Sequence, residues 1–499
     1  MSKYILGVDE GTTSARTIVF DDQANVVSQA TSEITQQYPR SSWVEHDPNE
    51  ILRAQKDTIA TALERAKVSP RDIAAVGVTN QRETAVVWDK STGKPVYNAI
   101  VWSSRQSAAV SQRWSDDGLD DKIREKTGLF NDAYYSASKI AWILDTVEGA
   151  RERAERGELL AGTIDTWLMW NFTEGKRHVT EHSNAARTMM FNIADERWDE
   201  ELLDAYGIPA SMLPEVIPSD GEFGDMESVL GHAIPIRSAL GDQQAGLYGQ
   251  ACFAKGQCKM TYGTAGVFVL NTGGDPLLTE GLTASSAWKV LGKTSYEAEG
   301  VNYSSGQTIK WLRDEMKLLH ASPDSEWYSG QVKDTQGVYL VPAFSGLAAP
   351  DWDMYARAAI VGMSSGTNRN HVIRAGLESM SYQTRDSVDA VTASGEVQIP
   401  SVRIDGGAVG NDVLCQFTAD ILGIPVVRPV VTEATVLGAA FVAGLAVGIW
   451  SSEEELGALW QEDRTFEPAM SEDRRAHLYD GWKEAKELTK GWAKKVVVD

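Results

Sequence analysis

The residues of this sequence that are best suited to chemistry are carboxylates and hydroxyls that directly follow apolar runs. Asp9 ends such a run, and Gly11, Thr12, Thr13 and Ser14 follow it. A glycine allows close approach of a ligand to the backbone, and the hydroxyl and amide groups could bind an anion. Asp9 could hold a hydrated Mg2+. A surface hairpin with a polar tip explains the same pattern.

A cation and an anion stand side by side at Arg82 and Glu83, just after the apolar run 73–79. Neighbouring side chains point to opposite faces of a strand, whereas in a loop both can turn toward one small polyol. Arginine donates hydrogen bonds and glutamate accepts them, which is what binding of vicinal hydroxyls requires. The alternative is an ion pair that only closes the end of a strand.

A second carboxylate, Asp242, follows the apolar run 236–241 and precedes Gln243 and Gln244. In that position it could accept the proton of an attacking hydroxyl. It could also cap the N-terminus of a helix that starts there.

Two further glycine turns, 261–266 and 405–411, are suited to binding phosphate through backbone amides and hydroxyls. The segment 6–11 also resembles 402–407, since each brings an Asp into a glycine turn. We interpret the two as equivalent phosphate-binding turns of two similar halves. Neither a P-loop nor a clean G-x-G-x-x-G motif occurs. Glycine turns and separate acids together favour phosphoryl transfer, in which positioning and electrostatics dominate.

The elements that position these residues follow an alternating α/β pattern. Apolar periodicity predicts a hairpin over 5–21, a helix over 49–67, a buried strand over 73–79 and strands near 236–242 and 259–270. It also predicts a buried helix over 436–450 and a charged amphipathic helix over 472–494.

The length of 499 residues predicts two domains, which we place at 1–250 and 251–499 with a hinge between them. The net charge of −23 argues against binding of nucleic acid or of an anionic membrane. Three scattered cysteines without C-x-x-C spacing argue against disulfides and zinc. The sequence enters a strand by residue 4, which leaves no room for a signal peptide, so we expect a cytoplasmic protein without membrane insertion.

Several longer motifs resemble those of the FGGY family of carbohydrate kinases, in particular the motifs of family members that phosphorylate glycerol. The resemblance extends from Tyr4 to about Trp492 and includes the segments 9–14, 43–48, 79–84, 97–102, 165–168, 241–244, 311–315, 350–357 and 405–409. It implies two ribonuclease-H-like domains of the actin and hexokinase superfamily with a cleft between them. It also implies ATP and Mg2+ as cofactors, glycerol as substrate and assembly into a homodimer or homotetramer.

The resemblance also implies roles for particular residues. The glycerol site would consist of Arg82, Glu83, Tyr134, Asp242 and Gln243, with Asp242 as the general base. Asp9 and Asp242 would hold Mg2+. The nucleotide would contact Thr12, Thr13, Ser14, Arg16, Thr264, Gly306, Lys310, Gly407 and Asn411.

Several residues depart from the usual family pattern. Glu10 replaces a Gln and is expected to bring an extra negative charge to the phosphates, while Ala265, Val267 and Lys310 replace a glycine, an aromatic residue and a Gln. Because Val267 could enlarge the pocket, a kinase for another polyol or for a ketose is an alternative. A nucleotide-switched binding protein related to actin or Hsp70 is another, but it has no use for an Arg-Glu polyol clamp.

Overall fold

The computed structural model describes residues 4–227, 231–431 and 433–495. The strands of the N-terminal half are β1 Tyr4–Glu10, β2 Ser14–Phe20, β3 Val26–Glu33, β4 Glu45–His46, β5 Ile73–Asn80, β6 Val86–Asp89, β7 Ala99–Ile100, β8 Leu159–Gly162, β9 Val179–Glu181, β10 Phe191–Asn192, β11 Arg197–Trp198, β12 Glu215–Ile217, β13 Gly224–Asp225 and β14 Pro235–Gly241. Its α-helices are α1 Pro48–Ala66, α2 Ala108–Asp116, α3 Asp120–Thr127, α4 Ser136–Thr146, α5 Ala150–Glu155, α6 Ile164–Phe172, α7 His182–Ala186, α8 Glu200–Tyr206 and α9 Asp242–Gly249.

The C-terminal half continues the numbering. Its strands are β15 Cys258–Tyr262, β16 Gly266–Gly273, β17 Thr283–Val290, β18 Lys293–Asn302, β19 Tyr339–Val341, β20 Ala359–Val361, β21 Val402–Asp405, β22 Val426–Pro429 and β23 Glu462–Phe466. Its helices are α10 Gly306–Asp314, α11 Asp324–Gly330, α12 Arg369–Thr392, α13 Asp412–Leu422, α14 Ala434–Ala446, α15 Glu453–Leu459, α16 Glu472–Glu487 and α17 Trp492–Lys495.

Local sequence signals account for the first elements. β1 and β2 pair antiparallel from Ile5 opposite Phe20 to Glu10 opposite Ala15, so the predicted hairpin is confirmed. The predicted helix near 49–67 is α1, whose N-terminus is capped by the Asp47 carboxylate 2.8 Å from the backbone N of Asn49.

Two sheets form the centres of the two halves. The first has the strand order β13-β14-β5-β1-β2-β3, and the second has β17-β18-β16-β15-β21-β22-β23. In each sheet an antiparallel meander (β1-β2-β3, or β15-β16-β18) is extended by two strands that run parallel to its first strand (β5 and β14, or β21 and β22). This repeated order confirms the predicted α/β class with two similar units.

The same order corrects one sequence interpretation. In the second sheet the strand equivalent to β1 is β15, because β15 starts the hairpin, while β21 lies parallel beside β15 as β5 lies beside β1. The turn equivalent to Gly11–Ser14 is therefore the one between β15 and β16. The Asp-Gly resemblance between 6–11 and 402–407 paired two strands that occupy different places in their sheets.

Helices α9 and α14 cross where the two halves meet. A Cβ atom on Gly438 of α14 would lie 1.9 Å from the carbonyl oxygen of Ala245 in α9, and one on Gly249 would lie 1.9 Å from that of Ala434. Helix α14 also packs on the first sheet, since a Cβ on Gly77 of β5 would lie 2.2 Å from the Ala439 oxygen. Glycine is required at these positions because the backbones are in contact.

Other predicted elements differ in their ends. The buried helix predicted over 436–450 is α14, which ends at Ala446. The helix predicted over 472–494 ends at Glu487, and α17 follows after a turn in which Gly491 has a φ of 62°. The three cysteines are buried and unpaired. Among the described residues, none of the helices is both long and apolar enough to cross a membrane.

Candidate active site

The hairpin of β1 and β2 presents the first group of predicted residues. The backbone N of Gly11 donates to the Ser14 oxygen at 3.0 Å and closes the turn. Thr12 accepts a 2.8 Å hydrogen bond from the indole of Trp102, which fixes its hydroxyl. Thr13 lies exposed at the tip. The turn therefore offers hydroxyls and amides at the edge of the first sheet.

Asp9, at the end of β1, is surrounded by other charged groups. Burial raises the pKa of Asp9 to about 7, Arg16 opposes this shift, and the charges of Asp242 and Glu433 add to it. Asp9 therefore lies close enough to Asp242 and to Glu433 for each of them to repel its charge. A cation placed among them would remove that repulsion.

The expected extra charge at Glu10 is wrong. Successive side chains of a strand point to opposite faces, and Glu10 is fully buried with its carboxyl oxygens 3.1 and 3.3 Å from the amide nitrogen of Gln81. Burial raises its pKa well above the ordinary value, which outweighs the lowering by the Gln81 hydrogen bond. The side chain therefore belongs to the core rather than to the exposed hairpin tip, and burial favours its uncharged form.

Arg82, Glu83 and Asp242 come together beyond the ends of β5 and β14. Arg82 Nε lies 3.0 Å from Asp242 Oδ1 and 3.9 Å from Glu83 Oε1. Glu83 has a φ of 60°, a left-handed conformation that non-glycine residues seldom adopt and that is often found at functional sites. Arg82 and Glu83 are at most 3% exposed, while the Asp242 side chain is 31% exposed. Asp242 is thus the accessible member of the group.

Asp242 is the first residue of α9, and Gly241 occupies the capping position. Its Oδ1 accepts a 2.8 Å hydrogen bond from the backbone N of Gln243 as well as the contact with Arg82. The side chain of Gln243 accepts a 2.8 Å bond from Lys259 Nζ, which also donates to Thr261 at 2.6 Å. Residues of both halves therefore meet at the start of α9.

Tyr134 borders the same region. Its ring contacts Trp102 edge-on with centroids 5.6 Å apart, and Trp102 in turn donates to Thr12. The guanidinium of Arg187 lies 5.9 Å from the Tyr134 ring centroid. An aromatic wall thus connects the charged group at Arg82 with the hydroxyl turn.

The predicted nucleotide residues of the C-terminal half line one pocket of about 430 Å³. It lies beside the turn between β15 and β16, the start of α10 and the turn after β21. The predicted residues in its lining are Thr264, Gly306, Lys310, Gly407 and Asn411. Asn411 also caps α13, since its Oδ1 accepts from the backbone N of Leu414 at 3.1 Å.

Arg16 pairs with Glu433, which precedes α14. This ion pair joins β2 of the first half to a residue of the second. The remaining predicted nucleotide residues, Thr12, Thr13 and Ser14, belong to the hairpin and do not line the 430 Å³ pocket.

Sequence reasoning missed several charged residues of the site. Arg187, Glu297 and Glu299 are buried against Arg82 and Glu83, and Lys259 is 1% exposed. The two glutamates carried a usable signal, because residues two apart in a strand share one face, so both carboxylates belong to the same side of β18. Arg187 and Glu433 carried no local signal.

Across the described residues no cluster of three or more acidic, histidine or cysteine side chains is arranged to hold a metal ion. This finding is compatible with Mg2+, which is usually bound by one or two carboxylates together with water and phosphate oxygens.

Comparison with known sequences gives the family. The model of the FGGY family of carbohydrate kinases, N-terminal domain, matches residues 4–249, and that of the C-terminal domain matches 258–447. The chain belongs to the FGGY family of carbohydrate kinases. The resemblance inferred from the motifs is therefore confirmed. The first sheet of this FGGY kinase lies in the first matched region, and the second sheet, apart from β23, lies in the second.

Individual relatives cover the chain almost completely. It is 54% identical over 493 residues to a glycerol kinase of Carboxydothermus hydrogenoformans, covering 98% of this chain and 99% of the relative. It is 52% identical over 495 residues to glycerol kinase 2 of Thermotoga maritima, covering 99% of this chain and all of the relative. The crystal structure of Plasmodium falciparum glycerol kinase with ADP matches with a TM-score of 0.92 at 33% identity, covering 97% of this chain and 98% of that chain.

More distant structures share the fold. A gluconate kinase from Lactobacillus acidophilus matches with a TM-score of 0.89 at 21% identity, covering 99% of this chain and all of that chain. This FGGY kinase therefore shares its overall fold with a chain of low sequence identity.

Proposed function

We propose that this FGGY kinase transfers the γ-phosphoryl group of ATP to glycerol and forms glycerol 3-phosphate. The observation that carries the proposal is the convergence of Arg82, Glu83 and Asp242, in which Asp242 lies 3.0 Å from Arg82 and is the accessible member. Full-length relatives named glycerol kinase at 52–54% identity support the choice of glycerol.

In this proposal the buried Arg82 donates hydrogen bonds to the hydroxyls of glycerol and Glu83 accepts them, while Tyr134 covers the carbon atoms. Asp242 is the general base. Its Oδ1 is engaged by Arg82 and by the backbone N of Gln243, so Oδ2 is the oxygen that accepts the proton of the reacting hydroxyl. Gln243, held by Lys259, borders the substrate.

The nucleotide is proposed to lie in the 430 Å³ pocket, with its phosphates directed toward the hairpin of β1 and β2. Thr12, Thr13, Ser14 and Thr264 would bind phosphate oxygens, and Arg16 would reach them from its pair with Glu433. Mg2+, held by Asp9 and Asp242, would supply charge neutralisation on the phosphates. The mutual repulsion of these two acids supports this placement.

Water is a competing acceptor for the phosphoryl group, so glycerol must be favoured over it. Burial of Arg82 and Glu83 to 3% exposure or less keeps solvent from the hydroxyl-binding side. Closure of the two domains around the bound substrates is proposed to exclude the remaining water.

The decisive experiment replaces the base by its isostere, Asp242→Asn. Because the amide cannot accept the proton in the same way, kcat with glycerol should fall by about 10² to 10⁴. The matched control is Glu200→Gln, since Glu200 is also the first residue of a helix but is exposed and lies in α8. A folded Asp242→Asn variant with the turnover of the wild type would show that Asp242 is not the base.

The substrate is tested separately in a coupled assay with glycerol, dihydroxyacetone, erythritol, xylulose and gluconate. We expect the highest kcat/KM with glycerol. A preference for the five- or six-carbon compounds would contradict the proposal and favour the alternative based on Val267. ATP hydrolysis that no polyol changes would favour a nucleotide-switched binding protein.

A further inference from the structure

Four charged side chains form a buried arrangement behind the proposed polyol site. Arg82 and Glu83 come from the loop after β5, Arg187 follows α7, and Glu299 lies in β18 of the second sheet. Each residue is at most 3% exposed. Charged residues are seldom buried to this extent unless each has a partner of opposite charge.

Ion-pair contacts link these four residues one after another. Glu299 Oε2 lies 2.7 Å from Arg82 Nη1, and Glu299 Oε1 lies 2.8 Å from Arg187 Nη2. Arg187 Nε lies 2.7 Å from Glu83 Oε1. A single carboxylate thus contacts both guanidinium groups, and the second guanidinium holds the carboxylate of Glu83.

The chemistry of these contacts restricts the direction of each side chain. A guanidinium group has donors in a rigid planar arrangement, so two simultaneous partners fix the orientation of its plane. Arg82 uses Nη1 for Glu299 and Nε for Asp242. The position of Arg82, and through it that of Asp242, therefore depends on a residue of the other half.

Hydrogen bonds hold both the backbone and the side chain of Glu83. Its backbone oxygen accepts a 3.1 Å hydrogen bond from Ser136, and its side chain accepts from Arg187. The backbone has a φ of 60°, a conformation that is unfavourable for a non-glycine residue and persists where the surroundings impose it. Arg187 is one of the groups that impose it.

A second buried glutamate, Glu297, lies next to this arrangement but has different partners. Glu297 Oε1 accepts hydrogen bonds from Gln244 at 2.6 Å and Ser285 at 2.8 Å, and it is 3.8 Å from Arg82 Nη1. Burial, followed by the neighbouring Glu299, raises the pKa of Glu297. For Glu299, the effect of burial is exceeded by Arg187 and Arg82, which lower its pKa. Glu299 is thus the charged partner of the two arginines.

We propose that Glu299 and Arg187 are positioning residues for the polyol site, holding Arg82 and Glu83 in their binding orientation and linking that orientation to the sheet of the C-terminal domain. The inference rests on the proposed binding of a polyol by Arg82 and Glu83. Neither positioning residue contacts the substrate. Polyol affinity then depends on how the two domains are placed, whereas the nucleotide pocket does not use this link.

The experiment measures KM for glycerol and for ATP in the full-length enzyme carrying Glu299→Gln. The amide keeps the shape of the side chain but removes the charge of the one carboxylate that contacts both buried guanidiniums. We expect KM for glycerol to rise by about 30-fold or more, while KM for ATP changes by less than about 3-fold. Calorimetric titration with glycerol should give the same loss of affinity without turnover.

Asp386→Asn is the matched control, since it removes a buried carboxylate of the same half whose partners, Tyr479, Trp482 and Lys486, lie outside the polyol site. Both KM values should stay within about 3-fold of the wild type. Glu299→Asp, which retains the charge, should recover part of the glycerol affinity. A folded Glu299→Gln enzyme with unchanged KM for glycerol, or with both KM values raised in parallel, would overturn the inference.

A second variant covers the case in which Glu299→Gln does not fold. Arg187→Lys keeps the positive charge but cannot contact Glu83 and Glu299 with two fixed donors. We expect it to raise KM for glycerol and not KM for ATP, and an unchanged KM for glycerol would overturn the inference. Failure of the proposed function itself is recognised earlier, because the wild-type enzyme would then phosphorylate neither glycerol nor another polyol.

Discussion

The close crossing of α9 and α14 leads to a prediction for Gly438→Ala. Alanine normally stabilises a helix relative to glycine, but here it should destabilise the protein. In Gly438→Ala the new Cβ would lie 1.9 Å from the Ala245 oxygen and 2.9 Å from the backbone N of Gly249. Ordinary contact begins near 3.4 Å, so the helices must separate by about 1.5 Å. Both obstructing atoms belong to the backbone, and no side-chain rotation can relieve the clash.

The magnitude follows from two opposing effects. Replacing a helical glycine by alanine stabilises a helix by about 1 kcal/mol. Overpacking of a close contact costs about 1–3 kcal/mol, and more when only backbone atoms can move. We therefore expect Gly438→Ala to lower the free energy of unfolding by about 2 kcal/mol. Because α9 begins with Asp242, a shift of about 1 Å should also reduce kcat by about 10-fold or more.

The assay compares thermal melting and glycerol turnover of Gly438→Ala with those of Gly457→Ala. Gly457 lies inside α15 and is exposed, and a Cβ atom added to it would have no heavy atom within 4 Å. The control should be as stable as the wild type or more stable, with unchanged kcat. A Gly438→Ala enzyme that melts at or above the wild-type temperature and retains full turnover would refute the reasoning from backbone contact.

Three further predictions concern other parts of the molecule. Burial lowers the pKa of His178 to about 4, below its unfolded value near 6.5, so its contribution to stability is present above pH 6.5 and is lost as the pH falls toward 4. The free energy of unfolding in urea should therefore fall less between pH 7 and pH 5 for His178→Gln than for the wild type. The difference should be up to about 1.4 kcal/mol per pH unit, and an equal fall in both proteins would contradict this. The thiols of Cys252, Cys258 and Cys415 are buried and their pKa values are raised by burial, so a thiol reagent should label none in the native enzyme and all three in denaturant, and rapid native labelling would contradict their burial. Gly410 lines the 430 Å³ pocket with open space around its Cβ position, so Gly410→Val should raise KM for ATP by about 10-fold without changing glycerol affinity, and an unchanged KM for ATP would place the nucleotide elsewhere.

Much of the fold could be predicted from local sequence patterns. The hairpin of β1 and β2, the strand β5 and the helices α1 and α14 follow from apolar periodicity and turn residues, which act between neighbours in the chain. Strand order does not follow from such patterns. The Asp-Gly resemblance between 6–11 and 402–407 is local, and only pairing across the sheet shows that β15, not β21, corresponds to β1.

The candidate site shows the same division. Arg82, Glu83 and Asp242 could be singled out because each follows an apolar strand and has a type suited to polyol or proton chemistry. Their partner Arg187 could not, since it lies 104 residues from Glu83 in the chain. The spacing of Glu297 and Glu299 predicts that they share a face of a strand, but not which cations they contact. Glu10 was misjudged because its type indicates charge, whereas its side of β1 places it in the core, where it is fully buried.

The sequence by itself determined the class of fold and the family, and it led to the residues proposed to bind a polyol and phosphates, because these inferences depend on residue type and short-range spacing. Only the tertiary structure decided which charges are paired, which carboxyl groups are buried in the core and which oxygen of Asp242 contacts Arg82. Those properties depend on burial and on contacts between distant segments. A carboxylate such as that of Glu299 acquires its partners only when two sheets come together.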